Sequence, residues 1–230
     1  MSEISEAIHL QNVVFGYDRR TPVLHIEELV VKTGKRLFLY GPSGSGKTTL
    51  LGLITGILQP QQGSCKILGK EMTRMSMTAR DQLRGSEMGY IFQSLNLIPY
   101  LTVRQNVALP CQIHARRRKN IVAPTVAEEV ERLITRLELE THLDRDVKKL
   151  SAGQQQRVAI ARAVIGKPSM VIADEPTSSL DTNRQQAFLE LLFEVCDEAK
   201  ATLVFVSHDR SLMTRFDDRI ALSDTGRVSE

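Results

Sequence analysis

Apolar and polar positions along the chain follow two kinds of pattern, and together they predict an α/β fold. Continuous apolar runs, typical of parallel strands covered on both faces, occur at 37–40, 89–92, 170–173 and 203–206. Apolar residues at helical spacing predict helices that include 50–54, 126–139, 152–165 and 183–199. Strands that alternate with helices indicate a mainly parallel sheet with helices packed against it.

The first part of the chain has a different pattern, which predicts an antiparallel subdomain. Residues 8–15 partly alternate and are expected to form an edge strand, followed by a turn at 18–22 and a return strand at 23–31. The remaining predicted elements are, in order, a strand at 64–68, a helix at 76–84, a strand at 219–222 and a turn at 224–226.

A mostly helical insertion is predicted between the strands at 89–92 and 170–173. Its clearest helix places Val126, Val130, Leu133, Ile134 and Leu137 inward and turns Glu128, Glu129, Glu131 and Arg132 outward. The segment 95–103 is unusually apolar for a loop, so it is either buried or in contact with another protein, and we favour the second interpretation.

Length and composition indicate a single domain over 1–230, with a core formed by about 1–93 and 149–230 and a helical insertion at about 94–148. A net charge of +3 gives no reason to expect nucleic acid as a partner. We interpret the basic run 116–119 as a solvated turn rather than a polyanion site, because no aromatic residues interleave it.

Cysteine usage and the absence of long apolar stretches predict where the chain is found. Cys65, Cys111 and Cys196 are odd in number and widely spaced, which favours free thiols in a reducing compartment. The N-terminus lacks signal-peptide features and no window is apolar enough to span a membrane. We therefore expect a cytoplasmic protein whose membrane role, if it has one, is exerted through a partner.

A glycine-rich segment between an apolar strand and a helix carries the strongest chemical signal. It fits G-x-x-x-x-G-K-[ST] completely. Glycines let backbone N–H groups turn inward around phosphate oxygens, the helix N-terminus adds donors, and the lysine adds a cation. The hydroxyl after the lysine is placed to hold Mg²⁺. The expected phosphate-binding residues are Gly41, Pro42, Ser43, Gly44, Ser45, Gly46, Lys47, Thr48 and Thr49.

Polar and aromatic residues at strand ends extend this site. Tyr17 follows the first strand, where we expect its ring to stack on adenine. Gln93 ends the strand at 89–92, an edge at which parallel sheets bind ligands. Asp174 and Glu175 end the strand at 170–173; we expect Asp174 to hold the metal and Glu175 to act as general base. His208 is predicted to contact the γ-phosphate or orient Glu175.

These motifs together resemble the nucleotide-binding subunit of an ABC transporter. Gly41–Thr48 is similar to that family's Walker A motif, Met170–Asp174 to Walker B, and 150–157 to its signature motif. Gln93 matches the Q-loop, Ser179-Leu180-Asp181 the D-loop, His208 the switch histidine and Tyr17 the A-loop. The match covers nearly the whole chain. It implies a P-loop NTPase with a RecA-like core sheet, an antiparallel β subdomain and a helical signature subdomain.

The resemblance also implies how the chain works. It implies a head-to-tail homodimer that sandwiches ATP between one copy's phosphate loop and the other's signature segment, with Mg²⁺ as the metal. It further implies contacts to nucleotide from Ser151, Gly153, Gln154 and Asp181, and to metal from Thr48, Gln93 and Asp174, while Lys47, Gln93, Glu175 and His208 serve catalysis. A helix N-terminus at Ser151 is in itself a second anion site, which agrees with this assembly.

Two departures from the family pattern and a likeness to particular subfamilies narrow the expected function. Ala152 stands where the family usually has glycine, and Asp146-Val147-Lys148-Lys149 replaces an acidic stretch that is found in exporters with long fused helices. Residues 89–107 and 172–177 are similar to lipoprotein-release, macrolide-export, glycolipid-export and cell-division ATPase subunits. We therefore expect membrane permease partners, to which a periplasmic adaptor can be added, that export or extract a lipidic, lipoprotein, peptide or drug substrate. Alternatives are a force-transmitting regulatory module without transport and, less favoured, a soluble ATPase of DNA repair or translation.

Overall fold

The computed structural model describes residues 5–18, 21–178 and 180–223, together with the backbone of 228–229. The strands are β1 (Glu6–Phe15), β2 (Leu24–Lys32), β3 (Arg36–Tyr40), β4 (Gln62–Ile67), β5 (Lys70–Glu71), β6 (Met88–Ile91), β7 (Met170–Asp174), β8 (Thr202–Val206), β9 (Asp218–Leu222) and β10 (Val228–Ser229).

The α-helices are α1 (Lys47–Ile54), α2 (Met77–Glu87), α3 (Val103–Ile113), α4 (Ala115–Lys119), α5 (Val126–Arg136), α6 (Ala152–Val164) and α7 (Thr182–Ala199). Short 3₁₀ segments lie at Met72–Arg74, Glu140–His142, Val147–Lys149 and Arg210–Arg215. Within the described residues, no helix combines the length and the apolar character needed to cross a membrane.

The chain forms two compact units, which are described separately: a first unit of Met1–Arg84 with Thr202–Glu230, and a second of Gly85–Ala201. The first unit holds an antiparallel sheet in the order β2-β1-β4-β5. It also holds the parallel pairs β3 with β8 and β3 with β9. The expected α/β class, with parallel core strands and an antiparallel part, is therefore confirmed.

The prediction that β1 is an edge strand is wrong. β1 pairs with β2 on one side, where His9 faces Val30, and with β4 on the other, where Leu10 faces Cys65. Its pattern looked only partly alternating because the pairing register shifts between Glu6 and Ile8 against β2 and between Gln11 and Val14 against β4, and each shift interrupts the two-residue period of burial. The expected turn at 18–22 is held by Asp18, whose carboxylate accepts the Thr21 N–H at 2.6 Å; Arg19 and Arg20 lie outside the described residues.

The apolar runs form the core of each unit, as predicted. In the first unit the side chains of Phe38 on β3 and Phe205 on β8 are fully buried, and both rings pack against Phe216. In the second unit β6 and β7 pair in parallel, with Gly89 opposite Val171. Gly89 has no side chain because a Cβ there would come within 2.1 Å of the Ala163 carbonyl of α6. The three cysteines are buried and form no disulfide with one another.

One residue of the outward face predicted for α5 is buried instead. Glu129 is only 1% exposed, and its carboxylate accepts the backbone N–H groups of Val122 and Ala123 and pairs with Arg132 at 2.9 Å. Burial raises the pKa of Glu129, but the hydrogen bonds from Arg132 and Ala123 outweigh it, so the pKa lies below its ordinary value. The residue closes the loop before α5 rather than facing solvent.

The basic run 116–119 departs in part from the predicted solvated turn, since Arg116, Arg118 and Lys119 are exposed and Arg117 is not. It forms α4, and Arg117 is 2% exposed. The guanidinium of Arg117 donates to the carbonyl oxygens of Gly85, Met88, Ala163 and Ile165 at 3.3, 2.5, 3.1 and 2.7 Å. Burial lowers the pKa of Arg117 to about 10, which leaves it charged near neutral pH. Arg117 therefore ties the end of α2 and the start of β6 to the end of α6.

We predict that Arg117→Met destabilises the chain by about 3 kcal/mol, since the substitution keeps apolar bulk but leaves buried carbonyl groups without a donor. Arg118→Met is the matched control, because Arg118 is exposed on the same helix and its loss is expected to cost less than about 0.5 kcal/mol. Urea unfolding of both variants measures the difference. Equal midpoints for the two would contradict the assigned role.

Candidate functional site

The phosphate loop connects β3 to α1 in the first unit and has the backbone shape that anion binding requires. Gly44 and Gly46 have φ values of +82° and +96°, in the left-handed region that glycine favours. Gly46 is also the N-cap of α1 and makes no side-chain cap bond, so it leaves the first-turn N–H groups unblocked by a side chain. These donors at a helix N-terminus form a site for phosphate oxygens.

The side chains of the phosphate loop add a cation and hydroxyl groups to these backbone donors. The Lys47 ammonium donates to the carbonyl oxygens of Gly41 and Pro42, at 2.8 Å each, which holds the cation over the loop. Among the described residues, the Ser45 hydroxyl is one of the few buried polar atoms without a hydrogen-bond partner. Thr48 is exposed at the start of α1 and Thr49 is buried. Pro42 and Ser43 form the exposed outer part of the loop.

Tyr17 lies beside this loop. Its hydroxyl and the Thr49 hydroxyl share a hydrogen bond of 3.1 Å, and the ring packs edge-on against Phe15 at 5.2 Å between centroids. The residue nevertheless remains 71% exposed. An anchored hydroxyl combined with an exposed ring face is the arrangement that base stacking needs.

The parallel pairing of β3 and β8 brings His208 to the same edge of the first unit. Leu39 lies opposite Val206, and the Ser207 N–H donates to the Leu39 carbonyl at 3.2 Å. The chain then continues to the phosphate loop from β3 and to the exposed His208 from β8. The first unit thus brings together Tyr17, the phosphate loop and His208.

A second set of predicted residues lies in the second unit, at the carboxyl ends of β6 and β7. Ile91 pairs opposite Ala173, so Gln93 and Asp174 follow two adjacent strand ends. The Gln93 amide donates to the Ser178 hydroxyl at 3.3 Å. Glu175 has a φ of +51°, which is unusual for a residue with a side chain and is a form of strain often found at functional sites.

Tyr90 is a neighbour of this set that the sequence reading missed. Burial and the negative charge of Asp174, with which its hydroxyl is hydrogen-bonded, raise the pKa of Tyr90 well above its ordinary value. Its ring stacks on Phe92 at 4.2 Å between centroids. The signal was available in principle, because a tyrosine within a buried apolar strand must find a partner for its hydroxyl.

The predicted signature segment forms the start of α6. Ser151 is the N-cap: its hydroxyl accepts the Gln154 N–H at 3.3 Å, and the Gln154 side chain accepts the Ser151 N–H at 3.0 Å. This reciprocal pair is a capping box. A Cβ on Gly153 would have no neighbour within 4 Å, so the Gly153 backbone is open to approach. Ala152 is exposed.

The predicted D-loop is only partly described. Asp181 caps α7, because its carboxylate accepts the Arg184 N–H at 3.0 Å and pairs with the Arg184 guanidinium at 3.2 Å. Leu180 precedes it, and Ser179 lies outside the described residues. The predicted turn at 224–226 lies outside them as well.

The phosphate loop, the strand-end acids and the capped helix agree with comparisons to known proteins. The family described as "ABC transporter" matches residues 24–178. The chain belongs to the ABC transporter family, as an ATP-binding, ATP-hydrolysing subunit.

Curated relatives span nearly the whole chain. The lipoprotein-releasing system ATP-binding protein LolD 1 of Caulobacter vibrioides is 35% identical and covers 100% of this chain and 96% of its own length. LolD of Anaeromyxobacter dehalogenans is 41% identical over 90% of this chain and 85% of its own. The ABC transporter ATP-binding protein YbbA of Escherichia coli strain K12 is 37% identical over 99% of this chain and 97% of its own length.

Solved structures agree in fold. A dimeric structure of MJ0796, described as a bacterial ABC transporter cassette, is 33% identical, with a TM-score of 0.81 and 97% of each chain covered. A second MJ0796 dimer, a post-hydrolysis state bound to ADP and Pi, has a TM-score of 0.80 at 31% identity, again with 97% of each chain covered.

We predict that Tyr17→Ala weakens ATP binding about tenfold or more, because stacking of a base on an aromatic ring contributes about 1–3 kcal/mol. Tyr17→Phe keeps the ring and loses only the Thr49 bond, so we expect less than about a threefold change. Isothermal titration with ATP measures both. If the two variants bind ATP equally, the ring does not stack on the base.

Proposed function

We propose that this chain is the ATPase of a membrane transporter, bound to permease subunits on the cytoplasmic face and acting as an ATP-dependent homodimer. The observation that carries the proposal is the presence of two helix N-termini suited to anions, one that follows the phosphate loop at α1 and one that follows Ser151 at α6. Each is a helix N-terminus with a characteristic loop. Dimeric cassettes at 31–33% identity support assembly with a second copy.

The roles of the chain's own residues follow from the chemistry of phosphoryl transfer. Lys47 and the loop N–H groups bind phosphate oxygens, Tyr17 holds the base, and the partner copy's Ser151 segment closes the site, with further contacts from Gly153, Gln154 and Asp181. Glu175 accepts a proton from the attacking water, and His208 and Gln93 keep that water and the γ-phosphate in position. Catalysis of this kind depends mostly on positioning and charge stabilisation.

Mg²⁺ fits the donor set. Among the described residues there is no group of at least three His, Cys, Asp or Glu side chains that could hold a metal. Thr48, Asp174 and Gln93 offer single oxygen donors, which suits an ion usually bound through one or two carboxylates and the substrate's phosphates. When bound, Mg²⁺ would neutralise charge that develops on the phosphates.

The loop 95–103 is the surface that we propose contacts the permease. Tyr100 is 77% exposed, and Leu97 and Ile98 are half-buried. The backbone beneath them is fixed: the Asn106 side chain bonds the N–H and C=O of Ile98 at 2.8 and 3.1 Å, and Arg162 donates to the carbonyls of Leu95 and Asn96 at 2.6 and 2.7 Å. A rigid apolar surface transmits motion better than a mobile one.

The names of the LolD relatives favour a lipoprotein or another lipidic molecule as the substrate, extracted or exported by the permease. The experiment that tests transport is reconstitution with candidate permease subunits, identified by co-purification with this chain. The ATPase rate is then measured with lipoprotein, phospholipid and peptide as candidates. Acceleration by one of them identifies the substrate class. Equal rates with all of them, together with retained ATP-dependent assembly, would favour the force-transmitting alternative.

We predict that Glu175→Gln lowers ATP turnover at least about a hundredfold, the usual contribution of a general base, and accumulates as an ATP-bound dimer. Size-exclusion chromatography with ATP and Mg²⁺ measures the dimer, and phosphate release measures turnover. Glu27→Gln is the control, because Glu27 is exposed on β2. Normal turnover in Glu175→Gln would remove this residue from the base role.

We also predict that Leu97→Glu and Ile98→Glu abolish coupling to the permease while the isolated subunit keeps its basal ATPase rate, because a buried charge at an apolar interface is costly. Co-purification with the permease and stimulated ATPase activity are the measurements. Val122→Glu is the control, an exposed apolar residue at 56% exposure in the same unit. A lowered melting temperature instead would show that the loop belongs to the core.

A further inference from the structure

Gln154 is the residue on which the start of α6 depends, and its side-chain amide makes one more hydrogen bond than the capping box requires. Its amide oxygen accepts the Ser151 N–H at 3.0 Å. Its amide nitrogen lies 2.7 Å from Nε2 of His142, which is in the 3₁₀ segment Glu140–His142. The second ring nitrogen of His142, Nδ1, lies 3.2 Å from the Thr141 hydroxyl oxygen.

The direction of each hydrogen bond in this chain is fixed by the backbone. The Ser151 N–H can only donate, so the oxygen of the Gln154 amide must face it and the NH₂ group must face His142. Nε2 of His142 therefore has to accept, which requires a neutral imidazole with its proton on Nδ1. That proton then points to the Thr141 hydroxyl oxygen, which accepts it.

This arrangement also determines in which direction the Ser151 hydroxyl can donate. Its oxygen accepts the Gln154 backbone N–H at 3.3 Å, so the hydroxyl proton stays available to donate outward. If Gln154 turned its amide over, a donor would face the Ser151 N–H and the capping box would be lost. An acceptor at the position of His142 Nε2 opposes that turn.

The backbone of the segment that carries His142 is itself held in place. The His142 N–H donates to the Leu139 carbonyl at 2.9 Å, and the Arg145 N–H donates to the His142 carbonyl at 2.9 Å. From the other side, the Gln155 amide donates to the carbonyls of Val147 and Leu150 at 3.0 and 3.3 Å. The segment that carries His142 is thus fixed by its own backbone bonds, while the segment that leads to Ser151 is tied to α6.

We infer that His142 is a positioning residue for the signature segment: through Gln154 it keeps Ser151 oriented to donate to the nucleotide held by a second copy of this chain. The inference rests on the proposed function, in which Ser151 acts on the partner copy's ATP. His142 itself is not placed in contact with the nucleotide. Its effect should therefore appear in assembly of the ATP-bound dimer and not in ATP binding by a single chain.

Three substitutions of His142, each made in a Glu175→Gln background, test what this position presents to the Gln154 amide. They offer an acceptor, no hydrogen-bonding group or a donor. His142→Leu removes the acceptor and is expected to weaken ATP-dependent dimerisation about fivefold, the value of one neutral hydrogen bond. His142→Gln can present an oxygen at similar reach and should stay within about twofold of the parent. His142→Lys presents a donor to the Gln154 NH₂ and should weaken dimerisation more than about tenfold. His25→Leu, at an exposed position on β2, is the matched histidine control.

Dimerisation is measured by sedimentation with ATP and Mg²⁺, and ATP affinity and melting temperature are measured on each variant as well. The inference requires that ATP affinity is unchanged in every variant. It also requires that the loss of dimerisation increases in the order His142→Gln, His142→Leu, His142→Lys. Equal dimerisation of His142→Leu and the parent, or equal losses in His142→Leu and His142→Gln, would overturn it.

An independent readout does not depend on the proposed function. Nitrogen NMR of the ¹⁵N-labelled full chain reports which imidazole nitrogen carries the proton, and the inference requires His142 to be protonated on Nδ1 and not on Nε2. A proton on Nε2 overturns the inference and leaves the proposed function standing. Failure of the Glu175→Gln parent to dimerise with ATP overturns the proposed function, while the tautomer still tests the hydrogen-bond chain.

Discussion

Parallel pairing in register is the constraint on which both sets of site residues depend. In the first unit, β3 and β8 run side by side with Leu39 opposite Val206, so the residues that follow both strands emerge at one edge. In the second unit, β6 and β7 do the same with Ile91 opposite Ala173. A shift of one residue in either pair would turn every side chain to the other face and separate the polar residues at the strand ends.

In the proposed function, backbone groups rather than charged side chains carry much of the recognition of the nucleotide. The phosphate loop offers N–H groups from a helix start whose N-cap is a glycine, and the signature segment offers a second helix start with an open glycine beside it. Backbone donors cost no side-chain entropy and cannot rotate away, which makes them suited to a ligand that must be bound and released repeatedly. The side chains then adjust these donors: Lys47 lies over the first set, and Gln154 orients the second.

The sequence predicted the elements that depend on local pattern and missed the features that depend on contacts outside that pattern. The apolar runs, the capping residue Ser151 and the glycines of the loop could be read directly, because each obeys a short-range rule. Arg117 was assigned to a solvated turn and Glu129 to the outward face of a helix, because a charged side chain is usually exposed. Their burial depends on partners as far away as Ile165 along the chain in one case and on a loop that folds back in the other. The two-sided pairing of β1 was missed for the same reason, since β4 lies about fifty residues later.

The hydrogen-bond chain from Thr141 to Ser151 shows what a neutral connection contributes that an ion pair does not. An ion pair fixes donor and acceptor by charge alone and passes no orientation on to a third group, whereas a chain that starts at an obligatory N–H sets the donor and acceptor at each amide and imidazole along it. Exposed ion pairs also contribute little net free energy, because solvent screens them. For the proposed role of the Ser151 hydroxyl, which is to present its proton to a phosphate, direction matters more than strength. A glutamine between a serine N-cap and a histidine meets that requirement with uncharged groups.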